Sequence, residues 1–401
     1  MVKALSATAK AVAESSSRYS ATQQLRSIEL FSGAGGLALG TELAGFAHQA
    51  LVEWNPDACA TVAANVFRAS VAETVGWRVL RRDVREFDYR PYEGVDLVAG
   101  GPPCQPFSIG GKHRGEGDGR NMIPEFVRAI RELRPPAFML ENVRGLLRPG
   151  FLPYFKYVLA QLSNPTITRK AEEDWPEHFA RLDAGTKQRL RYNVKFQLVN
   201  AADYGVPQVR HRVFVVGIRA DLGFEFNFPP ATHSSEALSH GQWVSGEYWD
   251  RHHLQRPNAL HTVDRRSLPV TRPFAEPWVT VRDALAGLPE PSEIDSASVL
   301  NHRLQLGARA YTGHTGSDND LPAKTLKAGD HGVPGGENML LKRDGTVRYF
   351  TVREAARIQT FPDSWEFSGA WSEAMRQIGN AVPVRLAETM ARSLADCLRS
   401  A

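Results

Sequence analysis

Cys104 is the residue of this chain best placed to make and break a covalent bond. It sits in Gly100-Gly101-Pro102-Pro103-Cys104-Gln105-Pro106-Phe107-Ser108, directly after the apolar run 95–99. That run reads as a buried parallel strand, ended by glycines and followed by prolines that fix the departing backbone. Ligands of open α/β sheets bind at the carboxyl ends of strands, so a rigid thiol there is placed like a nucleophile. A second apolar run, Phe138-Met139-Leu140, ends in Glu141-Asn142-Val143. A carboxylate at the end of a buried strand is costly unless it is paired or used. Cys104 and Glu141 facing one crevice suggest covalent attack assisted by proton donation. Upstream of the apolar run 213–218, extended alternation puts Gln208, Arg210 and Arg212 on one face. Guanidinium groups there can hold a phosphate, orient Glu141 and bind a base oxygen.

A cofactor pocket precedes these residues. Ile28-Glu29-Leu30-Phe31-Ser32-Gly33-Ala34-Gly35-Gly36 reads as a strand running into a glycine turn and then a helix. Glu53 ends the next strand, where a ribose hydroxyl would be read, and Trp54 after it can stack on an adenine. Asp83, followed by Val84, can accept a hydrogen bond from the adenine amino group. Two ligands fit this pattern, a dinucleotide and S-adenosylmethionine. The dinucleotide fingerprint wants a third glycine where this chain has Ala38. S-adenosylmethionine lacks the pyrophosphate and carries a cationic sulfonium, which suits an acidic pocket.

The elements that must hold these residues are legible as an α/β alternation. Strand candidates are 27–31, 49–53, 95–99, 137–141, 195–200 and 213–218; helix candidates are 37–44, 56–66, 124–133 and 152–162. The pattern predicts a parallel sheet covered by helices. Residues 163–191 look like a charged insertion of surface helix and loop. From 221 to 345 periodicity is lost, and eight of the twelve histidines fall there. Helical patterns return at 351–360 and 383–397. This layout implies a catalytic domain of residues 27–220 plus 346–401, with a second domain, 221–345, inserted before its closing helices. Residues 1–26 read as a disordered extension without the apolar core of a secretory signal.

Composition is that of an ordinary globular protein: 401 residues, 42% hydrophobic, 23% charged, formal charge +4. Cys59, Cys104 and Cys397 are too few and scattered for a disulfide framework or a zinc site, and a reducing compartment fits them. No apolar run approaches the roughly 18 residues of a membrane helix.

Taken in order, Phe31-Ser32-Gly33-Ala34-Gly35-Gly36, Pro103-Cys104-Gln105, Glu141-Asn142-Val143, Gln208-x-Arg210-x-Arg212, Thr351–Pro362 and Gly379-Asn380-Ala381-Val382 resemble the motifs of the cytosine-C5 DNA methyltransferase family. The resemblance covers roughly 27–220 and 346–398. It implies a Rossmann-like methyltransferase sheet with helices on both faces, plus a smaller irregular target-recognition domain. It also implies the reaction: a cytosine flipped from double-stranded DNA, attack of Cys104 on C6, a proton at N3 from Glu141, and methyl transfer from S-adenosylmethionine to C5, leaving S-adenosylhomocysteine. No metal is required. Arg212 is expected to steady the base and Glu141, Arg210 to assist the covalent step, and Asn142 to brace the catalytic loop. Phe31, Gly33, Gly35, Gly36, Glu53, Trp54, Asp83, Val84, Pro103, Asn380 and Val382 would hold the cofactor.

DNA would be met by the glycine-rich loop 105–124, through Gln105, Ser108, Lys112, Arg114 and Arg120, which reads as a mobile lid. Residues 221–345 carry twelve Lys/Arg against sixteen Asp/Glu, so positive charge there is local. Arg251, Arg265 and Arg266 mark a phosphate-binding strip. Lys324, Thr325, Leu326 and Lys327 are expected at base edges. The partners implied are double-stranded DNA and a cognate restriction endonuclease, but no membrane; a cytoplasmic, nucleoid-associated monomer is expected. A tRNA-directed relative is the alternative, although this chain lacks the Cys-Phe-Thr tripeptide of that branch. A nicotinamide dehydrogenase would leave Cys104, Glu141 and the arginine pair unexplained.

Overall fold

The computed structural model describes residues 24–67, 76–103, 121–184, 190–257, 268–269, 271–293, 299–312, 315–328 and 336–400. Seven strands form one sheet: β1 (Leu25–Leu30), β2 (Phe46–Glu53), β3 (Val79–Arg81), β4 (Leu97–Gly100), β5 (Ala137–Val143), β6 (Tyr192–Asn200) and β7 (His211–Arg219), in the order β3-β2-β1-β4-β5-β7-β6. β4 and all of β5 up to Asn142 are buried, which is why their sequences are nearly unbroken apolar runs. The order reverses between β1 and β4, and the crevice beyond their carboxyl ends is where such sheets bind ligands.

The expected parallel sheet holds from β1 to β5 and is completed by two further strands, one of them reversed. β7 runs antiparallel to both β5 and β6, so the sheet is mixed. The reason is the link between β6 and β7: a short 3₁₀ turn, Ala201–Tyr204, and a few extended residues. A parallel neighbour would require a long crossover, whereas a short link gives an antiparallel pair.

Helices cover both faces. α1 (Gly36–Leu43) follows β1, α2 (Pro56–Phe67) follows β2, α3 (Ile123–Leu133) and α4 (Leu152–Ser163) flank β5, and α5 (Trp175–Ala184) lies in the charged insertion. The chain closes with α6 (Val352–Ile358), α7 (Trp371–Asn380) and α8 (Val384–Arg399). On one face Ile28, Val98, Phe138 and Leu140 pack against Phe126 and Ile130 of α3 and Phe155 of α4. On the other, Leu97, Met139, Phe214 and Val216 meet Leu386, Met390 and Leu394 of α8, an apolar stripe at helical spacing. Each such leucine contributes roughly 1.5–3 kcal/mol through burial. α1 lies so close to α8 that a Cβ on Gly40 would stand 2.4 Å from the Ala387 Cβ.

One expected boundary shifts. Leu25 and Arg26 are not part of an N-terminal tail: Leu25 is fully buried and pairs with Phe46 in the sheet. Residues 1–23 lie outside the described residues. Within 221–345, Leu238, Tyr248 and Trp249 build a small core of their own. Val281, Ala323, Leu326 and Leu340 instead share a cluster with Leu39, Phe350 and Ile358.

Candidate active site

The turn after β1 is strained where it must be. Phe31 (φ +58°), Gly33 (φ +53°) and Gly35 (φ +86°) adopt left-handed backbone, and Gly35 caps α1. A bulky residue there costs roughly 1–3 kcal/mol and persists only when its surroundings enforce it. Gly36 is required for a different reason: a Cβ on it would lie 2.3 Å from the Val382 carbonyl oxygen. Glu53, at the end of β2, holds the turn from the neighbouring strand. Its Oε2 accepts the Gly33 N–H at 2.9 Å, while Oε1 accepts the Trp54 and Asn55 N–H groups at 3.0 and 2.8 Å. Trp54 remains 67% exposed. Asp83 caps a short turn by accepting from the Arg85 N–H at 2.9 Å. The Arg85 side chain, hydrogen-bonded to it, holds the Asp83 carboxyl below its usual range, so it stands as an ionised acceptor.

These groups line one cavity of about 460 Å³, within the range of small-molecule sites. Phe31, Gly33, Gly36, Glu53, Trp54, Asp83 and Val84 line it, with Asn380 and Val382 where the chain returns. Pro103, Glu141 and Arg212 line the same cavity. Arg212 Nε lies 2.8 Å from Glu141 Oε1. Burial pushes the Glu141 carboxyl up, while the Arg212 and Arg210 charges pull it partly back. Asn142 Nδ2 donates to the Pro102 carbonyl at 3.1 Å, tying the end of β5 to the segment that leads to Cys104. A Cβ on Gly101 would press within 3.2 Å of Glu141 Oε2. The cavity thus joins acidic and aromatic groups suited to an adenosyl group with a carboxyl whose pKa burial raises. Cys104 itself lies outside the described residues, immediately after Pro103.

A model of the C-5 cytosine-specific DNA methylase family matches residues 25–165 and 184–396. The chain belongs to that family. Enzymes of this family methylate DNA at cytosine C5 using S-adenosylmethionine, and this chain is one of them. It is 32% identical over 385 residues to the Type II methyltransferase M.NgoMIV of Neisseria gonorrhoeae, covering 94% of this chain and 99% of that protein. It is 34% identical over 335 residues to M.SacI of Streptomyces achromogenes, covering 75% of this chain and 72% of that protein. The fold matches the crystal structure of a putative DNA modification methyltransferase encoded within an E. coli prophage, with a TM-score of 0.57 at 21% identity, covering 93% and 99% of the two chains.

Several residues expected in this methylase's site lie elsewhere. Gly35 does not line the cavity; a Cβ on it would meet the Trp365 ring at 3.1 Å, so it serves packing. Arg210 is fully buried, and its Nη groups donate to three main-chain carbonyls and to Gln208, so it cannot touch a base from this position. Leu326 is 1% exposed and belongs to the core, not to a base-reading edge. The Thr325 hydroxyl donates to the Val209 carbonyl at 2.7 Å. Lys324 reaches Thr315, and Lys327 pairs with Glu337 at 2.6 Å. Arg251 is exposed but pairs with Asp283 at 2.9 Å. Gln105, Ser108, Lys112, Arg114, Arg120, Arg265 and Arg266 lie outside the described residues, as does most of the loop 105–124. The cavity lining also includes Arg85 and Met122, which the sequence does not single out. Arg85 stands two residues after Asp83, and that short spacing of opposite charges is the available signal.

Proposed function

We propose that Cys104, Glu141 and Arg212 carry the methylation, on a cytosine flipped out of a short specific sequence in double-stranded DNA. The observation that supports this most is the continuity of the cavity from Trp54 and Asp83 to Glu141, Arg212 and Pro103. The Cys104 thiolate forms a bond to C6 while Glu141 delivers its proton to N3, which makes C5 nucleophilic. S-adenosylmethionine supplies the methyl group, and S-adenosylhomocysteine leaves. Removal of the C5 proton then re-forms the ring double bond and expels Cys104. Arg212 holds the Glu141 carboxyl in place and offers its remaining N–H groups to the base.

Glu53, Trp54 and Asp83 suit the ribose and adenine of that methyl donor, with Phe31, Val84, Asn380 and Val382 as apolar and main-chain walls. We assign residues 221–345 to target recognition. The enzyme is proposed to work without a metal, as a monomer, in the bacterial cytoplasm beside a cognate restriction endonuclease. Among the described residues no helix is long and apolar enough to cross a membrane. A tRNA substrate is the less supported reading, because the relatives are Type II methyltransferases.

Single-base mapping of 5-methylcytosine on plasmid DNA from cells expressing the chain tests this reading. Methylation confined to one short motif, lost in Cys104→Ser, is expected. A duplex with 5-fluorocytosine at that motif should leave a denaturation-resistant adduct, because no C5 proton can be removed to expel the thiol. An unmethylated plasmid despite S-adenosylmethionine binding would overturn it.

A further inference from the structure

Arg210 sits at a junction of three stretches of chain that are far apart in sequence. Its Nη1 donates to the Leu326 carbonyl at 2.9 Å and to Gln208 Oε1 at 3.3 Å. Its Nη2 donates to the carbonyls of Gly379 and Ala381 at 2.7 and 3.0 Å. Gln208 Oε1 also accepts the Leu326 N–H at 3.0 Å, and its Nε2 donates to Gln359 Oε1 at 3.0 Å. Gln359 in turn donates to the Ile378 and Ala381 carbonyls at 2.6 and 3.1 Å. Around this node the main chain is stitched directly. Val209 donates to Ala323, Ala323 donates to Pro207, both at 2.9 Å, and Thr325 closes on Val209. The fit is close: a Cβ on Gly379 would lie 2.4 Å from the Ala328 nitrogen.

One buried cation and two buried amides therefore join residues 323–328 to residues 378–381. The second stretch leads into Asn380 and Val382, which wall the cavity. The first carries Lys324 and Lys327 at the edge of the 221–345 segment. A buried guanidinium bound to neutral carbonyls is satisfied only when every acceptor is in place. In a low-dielectric interior such a network tends to hold or fail as a unit. Displacing either stretch exposes the cost of the other.

We propose that Arg210 is a positioning residue through which cofactor binding at the 379–382 wall and DNA binding by the 221–345 segment strengthen each other. This rests on the reading of the cavity as the S-adenosylmethionine site and of 221–345 as the recognition segment. Its role differs from that of Arg212, which reaches the reacting end directly. Any such coupling is reciprocal: the factor by which cofactor tightens DNA equals the factor by which DNA tightens cofactor.

The test uses the full chain, a duplex carrying the mapped motif, and S-adenosylhomocysteine as the cofactor probe. Dissociation constants for each are measured with and without the other, for the natural protein, Arg210→Lys and Thr325→Val. Arg210→Lys keeps the charge but loses the planar fork; Thr325→Val removes one hydrogen bond at the same seam. In the natural protein each ligand should tighten the other by about 5–150-fold, a typical allosteric coupling. That ratio should fall close to one in Arg210→Lys and to an intermediate value in Thr325→Val, which carries the test alone if the lysine variant does not fold. A purely structural role would weaken both affinities and lower the melting temperature while leaving the ratio intact, and that result overturns the proposal. A ratio of one in the natural protein, with S-adenosylhomocysteine bound, also overturns it but leaves the cofactor site standing. No S-adenosylhomocysteine binding at all would overturn both.

Discussion

Glu141 and Arg212 meet at 2.8 Å because their strands run in opposite directions. β5 delivers Glu141 at its carboxyl end, and antiparallel β7 begins beside it, with Val143 opposite Arg212. A parallel β7 would have carried the arginine to the far edge of the sheet. Burial, which the pairing offsets only in part, fixes the direction of the pH dependence. Burial raises the Glu141 pKa, with Arg212 opposing that shift, so the proton needed at N3 is held above the usual carboxyl range and lost as pH rises through the raised value. Single-turnover methylation should therefore fall with increasing pH through one limb that Glu141→Gln abolishes. Arg212→Ala removes an opposing charge and should move that limb to higher pH. Glu141→Gln should also lower the rate by about 10²–10⁴-fold, the usual contribution of a positioned acid. A rate profile that keeps the same limb in Glu141→Gln would assign it to another group.

Gly36 tests the closure of the cofactor wall. Gly36→Ala drives a methyl against the Val382 carbonyl, where the main chain cannot retreat without moving α8. Overpacking of this kind costs about 1–3 kcal/mol. The expected outcome is a lower melting temperature together with weaker S-adenosylhomocysteine binding by calorimetry. Gly150→Ala, whose Cβ meets nothing within 4 Å, is the control and should change neither.

Leu326 separates anchoring from reading. Its side chain is in the core, in the same cluster as Phe350 and Ile358. Leu326→Ala should cost about 2–5 kcal/mol of stability by leaving a cavity. The methylated motif, mapped by bisulfite sequencing, should stay the same. A shifted motif without loss of stability would return Leu326 to the base-reading edge.

The parts of this enzyme that were legible in its sequence are those where one residue type answers one local demand. Glycines at 33 and 36 mark a turn and a close approach, and the apolar runs ending at Gly100 and Glu141 mark strands whose ends face the crevice. Two of the elements that the sequence candidates do not include differ in kind. α7 carries Trp371, Ala374, Met375 and Ile378 at helical spacing, a signal that was there to be read. β3 has three residues, too few for any period to show. The reversed direction of β7 depends on the length of a link, and the fate of Arg210 depends on carbonyls contributed by residues 326, 379 and 381. Nothing local distinguishes Arg210 from Arg212: they alternate on one strand entry, yet one is enclosed by returning chain and the other faces the cavity. Leu326 was misassigned for the same reason, since burial is decided by what packs from elsewhere.

Trp54 offers the cleanest separation of binding from chemistry. It is a large apolar residue of the cavity lining left 67% exposed, next to a carboxylate that accepts three main-chain N–H groups. Exposure of an indole face beside Asp83 is unfavourable in isolation and becomes favourable once a planar ring covers it. Stacking of a base on an aromatic side chain is worth about 1–3 kcal/mol by alanine substitution. Trp54→Ala should therefore weaken S-adenosylmethionine binding by about 5–150-fold, at the usual 1.4 kcal/mol per tenfold. Trp54→Phe should recover most of that loss. Because Glu141 and Arg212, not Trp54, are the groups proposed to act on the base, kcat at saturating cofactor should change little, and the effect should appear in KM. A fall in kcat with unchanged KM would mean that Trp54 acts on the transition state, and its assignment to cofactor binding alone would fail.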